Sequence, residues 1–195
     1  MIQQGDALDL ISTFTEEEID LIATDPPYAF GGSGDEHAIS ATVAVVLRES
    51  ARRLRRGSWM LVFAASSWRS ISYMVEAVRG IVEPVRVGTW CKPVSATKVR
   101  TPGWNWASVS VIAFRKGKSR EDLRPLDEPL LDHVEASIVK DGRRAQLPPD
   151  VAAWAVKPFV VPGGVMLDPF AGSGVLVQAA DFYGMRAFGF EKNVA

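Results

Sequence analysis

The hydrophobic positions along the chain fall into short runs that alternate between two periods. Residues 19–23 form a compact apolar run rich in branched side chains, stopped by Asp25, Pro26 and Pro27. Prolines cannot donate to a sheet ladder, so this run predicts a buried strand ending in a rigid turn. Residues 41–56 follow with Val43, Val46, Leu47, Ala51 and Leu54 at helical spacing, and Gly57 stands where a left-handed cap would close the helix. Residues 59–64 again read as a strand, and Ile71, Met74, Val75 and Val78 mark a second helix that stops before Gly80. Two strands, 85–90 and 109–114, have no helix-sized pattern between them and are expected to pair antiparallel across a wide connection. A short helix at 150–156, a strand at 165–167, a helix at 175–183 and a strand at 186–190 restart the alternation. Strands alternating with helices imply an α/β chain whose mostly parallel sheet is covered on both faces.

Between 115 and 149 the pattern lapses into charges and prolines, including KGKSRED, RPLDEP and KDGRR. This is the one candidate for an inserted recognition or partner segment, a solvated surface excursion being the plainer reading. The whole chain of 195 residues, 47% of them hydrophobic, suits a single domain, 1–195. Its formal net charge of -1 lacks the global excess of a protein that coats nucleic acid by charge, so any such contact must be local. One cysteine, Cys91, and two histidines, His37 and His133, offer no disulfide framework and too few soft ligands for a zinc cluster; no metal is expected. Without a basic region and cleavage site at the N-terminus, or an apolar stretch approaching about 18 residues, the chain is expected to be cytoplasmic and not membrane-bound.

Two turns concentrate the chemistry. In LDPFAGSG, 167–174, a strand runs into Gly172, Ser173 and Gly174 at the start of a helix. Glycines let the backbone approach a ligand, and a helix N-terminus offers N–H groups to an anionic or electron-rich group. Glu191 lies roughly 20 residues further on, where an acidic side chain accepts hydrogen bonds from ribose hydroxyls. The pair reads as a nucleoside site, although Val177 takes the place of a third glycine and such turns also occur for structural reasons. In DPPY, 25–28, the prolines free a carbonyl from the ladder while Asp25 supplies a carboxylate and Tyr28 a flat face. A planar amine fits there, held by Asp25 and the Pro26 carbonyl and stacked on Tyr28, with its lone pair directed at an electrophile.

With WCKP and SVSVIAFRKG between them, DPPY and FAGSG resemble the DNA amino-methyltransferases, the N6-adenine and N4-cytosine enzymes, in the motif order of the circularly permuted beta group. The resemblance spans nearly the whole chain. It implies a Rossmann-like S-adenosylmethionine-dependent methyltransferase fold, with a mostly parallel seven-stranded sheet and one antiparallel strand, residues 1–3 supplying one of the seven. Asp25, Pro26, Pro27 and Tyr28 match the catalytic tetrapeptide. Asp168, Phe170, Gly172, Ser173 and Gly174 match the loop holding the methionine end of the cofactor, Glu191 the ribose-binding acid, and Asp6 a residue near the cofactor's adenine. Lys157-Pro158 resembles the KP element beside the cofactor, with Leu147-Pro148-Pro149 nearby in place of the usual lead-in.

The implied activity is methyl transfer from S-adenosylmethionine to the exocyclic amine of a flipped-out DNA base, with Asp25 rather than serine favouring adenine. N4-cytosine is the alternative within the class. A protein-glutamine methyltransferase shares the Pro-Pro-Tyr turn but reverses the motif order. A nicotinamide-dependent oxidoreductase leaves DPPY without a role, and a catalytically inactive nucleic-acid-binding subunit typically loses one of the two motifs. DNA is the expected partner, with a homodimer or a separate specificity subunit as a further possibility. Trp104-Asn105-Trp106 could stack on a displaced base, although loop tryptophans more often pack over the core, and 31–34 suggests a mobile loop over the base. Arg52, Arg53, Arg55 and Arg56 are read as structural. DNA contact is expected from a subset of Lys116, Lys118, Arg120, Arg124, Lys140, Arg143 and Arg144, whose charge the acidic residues of the same segment offset.

Overall fold

The computed structural model describes residues 1–27, 36–93, 107–120, 129–139 and 146–192, with the backbone alone at 36–39. In chain order its elements are β1 (Ile2–Gln4), α1 (Ala7–Ile11), β2 (Ile19–Thr24), α2 (Glu36–Arg53), β3 (Leu54–Ala65), α3 (Trp68–Ala77), β4 (Glu83–Cys91), β5 (Ser108–Arg115), β6 (His133–Glu135), α4 (Pro149–Val156), β7 (Val165–Asp168), α5 (Val175–Phe182) and β8 (Arg186–Glu191). The strands form one sheet ordered β1-β8-β7-β2-β3-β5-β4-β6. Among the described strands only β5 runs against the others, antiparallel to both β3 and β4. The expected α/β class, parallel bulk and reversed strand are present, but among the described residues the strands number eight rather than seven. The additional strand, β6, lies inside the segment read as patternless and pairs parallel with the end of β4.

Alternation along each central strand feeds two apolar layers. Ile22, Met60, Val62, Ile112 and Phe114 face α1, α2 and α3, whereas Leu21, Ala23, Leu61, Phe63, Val111 and Met166 face α4 and α5. All six residues of β2 are buried; four are apolar, and Asp20 and Thr24 are the polar exceptions. Each fully buried aliphatic side chain of this kind contributes about 1.5–3 kcal/mol. Helix α2 ends earlier than its apolar spacing suggested, and Gly57 is not its cap. That glycine sits inside β3 at φ +81°, where a Cβ would meet the Lys118 carbonyl oxygen at 2.7 Å and Arg120 Cγ at 2.5 Å. The glycine is there to let the 118–120 backbone cross β3.

The order of the strands creates a switch point. From β2 the chain leaves through α2 to β3 on one side, and from β7 through α5 to β8 on the other, while β2 and β7 are direct neighbours. Helices departing in opposite directions leave a crevice outside the carboxyl ends of those two strands. Both turns singled out in the sequence open into it.

Candidate active site at the carboxyl ends of the strands

Thr24 and Asp168 end β2 and β7 side by side, and the Thr24 hydroxyl donates to Asp168 Oδ1 at 2.7 Å. The Phe170 N–H donates to the same oxygen at 3.0 Å, turning the chain sharply out of β7. Asp168 is only 1% exposed. Burial raises its carboxyl from the ordinary aspartate range to about 7; the two hydrogen bonds work against that rise, and the negative charges of Asp25 and Glu191 add to it. Thr24 had no signal in the sequence beyond preceding DPP, yet its hydroxyl ties the two turns together.

The glycine turn divides into two roles. At Gly174, φ +78°, a Cβ would meet Ile2 Cδ1 at 2.3 Å, so this glycine lets β1 and the turn close-pack, and its left-handed backbone opens α5. At Gly172, φ +50°, a Cβ would meet nothing within 4 Å. Gly172 and Ser173 are exposed, and no side chain caps α5, which leaves first-turn N–H groups toward the crevice. The Gly172 N–H donates to Glu191 Oε2 at 2.9 Å, drawing the end of β8 against the turn. Asp6 follows β1 at the same edge: Gly5 N–H donates to the Glu191 carbonyl at 3.2 Å, and Asp6 Oδ1 caps α1 through Leu8 N–H at 2.9 Å. Phe170 packs its half-buried ring on the core.

Asp25, Pro26 and Pro27 leave β2 directly beside this group, with Asp25 half-buried and Pro26 buried. Tyr28, the 31–34 loop and Trp104-Asn105-Trp106 lie outside the described residues, as do Arg124, Lys140, Arg143 and Arg144.

Lys157 is not brought to the group. It is exposed in a short 3-10 turn, Lys157–Phe159, after α4, and Phe159 packs on Trp59 at 5.0 Å. Trp59 is paired with Leu21 and Arg115, in the half of the sheet away from Asp168. The chain still has to traverse β7 to reach the crevice; Pro148 caps the start of α4 and Pro149 opens it instead.

The basic residues that open the 115–149 segment are also placed elsewhere. Because β5 runs backwards, Arg115 ends at the amino edge of the sheet. Lys116 Nζ donates to the carbonyls of Arg52 and Leu54, each at 2.7 Å, closing the end of α2. Arg120 is bound to the buried Asp20 carboxylate and, at 3.2 Å, to Ser58 Oγ. These side chains hold the fold together on the edge opposite the crevice. Strand β6 returns the segment to the carboxyl edge, where Trp90 Nε1 donates to the Ala136 carbonyl at 2.8 Å.

No protein-family model matches the chain. YubD of Escherichia coli (strain K12), named as a methylase, is 26% identical over 200 residues, which cover 96% of this chain and 82% of YubD. TTHA0409 of Thermus thermophilus, named as a DNA modification methylase and solved with S-adenosyl-L-methionine, superposes with a TM-score of 0.72 at 22% identity, covering 97% of this chain and 88% of that one. The fold is that of S-adenosylmethionine-dependent methyltransferases. PvuII DNA methyltransferase, cytosine-N4-specific, shares this methyltransferase fold at a TM-score of 0.76 and 16% identity, over 98% of this chain and 81% of its own. Among the described residues no helix is long and apolar enough to cross a membrane.

Proposed function

We propose that the chain is a DNA methyltransferase that moves a methyl group from S-adenosylmethionine to the exocyclic amine of a base, N6 of adenine in the first instance. The observation that carries this reading is the Thr24–Asp168 hydrogen bond, which fixes the Asp25-Pro26-Pro27 turn beside the glycine turn at the switch point. An oxidoreductase would use the glycine turn and Glu191 but give the proline turn nothing to do.

The residues present suit that cofactor. The open backbone at Gly172, the unpaired start of α5, the buried Asp168 carboxyl and the Glu191 carboxylate supply donors and acceptors for an amino-acid end and a ribose, with Asp6 at the edge toward the nucleobase. Once bound there, the cofactor supplies a methyl group already activated by a sulfonium. Asp25 and the Pro26 carbonyl accept the two N–H groups of the target amine and orient its lone pair, and the matching tetrapeptide assigns Tyr28 to stack on the ring. The amine nitrogen would take up that methyl and give up one of the N–H protons held by Asp25 and the Pro26 carbonyl. A base stacked in duplex DNA cannot reach this crevice and must be turned out of the helix.

Adenine is favoured because aspartate, not serine, opens the tetrapeptide; the fold shared with PvuII keeps N4-cytosine as the second reading. Incubation with methyl-labelled S-adenosylmethionine and DNA of mixed sequence, followed by digestion to nucleosides, is expected to yield N6-methyladenine. N4-methylcytosine alone would move the assignment to cytosine, and no methylated base in any DNA would overturn the reading.

A further inference from the structure

We propose that Trp68 stacks on a base of the DNA beside the one being methylated, forming a platform on the rim of the crevice. This rests on the methyltransferase reading above. Thr24 is opposite Val62, and β3 continues past that pair to Ala65, so its tip stands about 10 Å above the end of β2. Trp68 is the first residue of α3, immediately beyond that tip. Helix α3 buries Ser70, Met74 and Ala77. Trp68 lies two residues before Ser70, about 160° around the helix, and cannot join that face.

The indole is 85% exposed and makes no ring contact among the described residues. Phe182 offers the contrast: 83% exposed at the far end of α5, it has Tyr183 edge-on at 5.2 Å. An unpartnered indole contributes nothing to the core and presents a flat π-face to solvent, the surface that accepts an unstacked base whatever its sequence. Its surroundings suit a nucleotide. Arg69 follows it on the surface, the amino end of α3 offers partial positive charge to a phosphate, and the Tyr73 hydroxyl donates to the Ser40 carbonyl, holding α3 against the start of α2, the helix that follows the catalytic turn.

The test measures binding of Trp68→Ala, Trp68→Phe and Phe182→Ala to a fluorescently labelled single-stranded oligonucleotide of mixed sequence, with KM for the same DNA and affinity for S-adenosylmethionine alongside. Trp68→Ala is expected to bind DNA about tenfold more weakly and raise its KM similarly, with cofactor affinity unchanged. Trp68→Phe should recover most of the loss, and Phe182→Ala should match the parent. If the parent binds and methylates DNA while Trp68→Ala is indistinguishable from it, or if phenylalanine fails to rescue, the platform is wrong and the methyltransferase reading stands. If the parent neither binds nor methylates DNA, both fall.

Discussion

Two aspartates are buried in the same sheet, one at each edge, and their surroundings differ in sign. Asp20, at the start of β2, faces cations: Arg120 binds it, Arg55 Nε lies 3.3 Å away, and Val165 N–H donates at 2.9 Å. Asp168, at the end of β7, has a hydroxyl and an N–H as donors, and the charges acting on it are the carboxylates of Asp25 and Glu191. A buried carboxylate matched by arginine is a clamp, complete in itself. One whose pKa burial has raised, with two neighbouring carboxylates adding to the rise, gains from the arrival of a positive ligand such as an ammonium or sulfonium. One edge holds the fold together; the other is the edge at which we propose the chemistry takes place.

The largest expected effect on stability is at the clamp. Arg120→Ala removes the most buried cation from Asp20 and should destabilise the protein by about 3 kcal/mol, read by urea unfolding, because a buried charge is left with only the half-exposed Arg55. A loss below about 1 kcal/mol would show that Arg55 suffices and that the edge is not built on this pair.

A smaller effect, opposite in sense, is expected at Asp168. Its folded carboxyl keeps the proton up to about 7, whereas the unfolded chain releases it near 3.8. Between those values the folded state binds the extra proton, so this contribution to stability is full at low pH and is lost as pH rises through about 7. Asp168→Asn keeps an oxygen for Thr24 and Phe170 but cannot ionise, so its gain over the parent should grow from pH 5 to pH 8 by an amount on the order of 2 kcal/mol. Equal pH slopes for the two proteins would mean that Asp168 titrates normally.

The sequence showed most clearly what the backbone alone enforces. Paired prolines end β2, the glycines at 172 and 174 turn the chain, the alternation of periods pointed to a mostly parallel sheet, and the want of a helix-sized pattern between 85–90 and 109–114 to the antiparallel β4–β5 pair. What it concealed were partnerships. A lone threonine before a proline pair does not announce a bond to an aspartate 144 positions away. Lys116 and Arg120 look like a DNA-facing charge run until the carbonyls and carboxylate opposite them are seen. Gly57 resembled a cap because a positive φ is common to caps and crossings. Strand β6 is three residues long in a proline-rich stretch and borrows its order from β4. Lys157 matched a motif in letters, but α4 carries that position to the other end of β7.

The division of labour between the two turns is tested most directly by calorimetric titration of S-adenosylmethionine into the parent, Asp25→Ala and Glu191→Ala, with methyl transfer assayed on the same preparations. Asp25→Ala should bind the cofactor within a few fold of the parent while turnover falls by about a thousandfold, roughly 4 kcal/mol of transition-state stabilisation. Glu191→Ala should instead weaken cofactor binding, having lost both the ribose acceptor and the bond that sets the Gly172 turn. Abolished binding in Asp25→Ala with binding intact in Glu191→Ala would contradict the account.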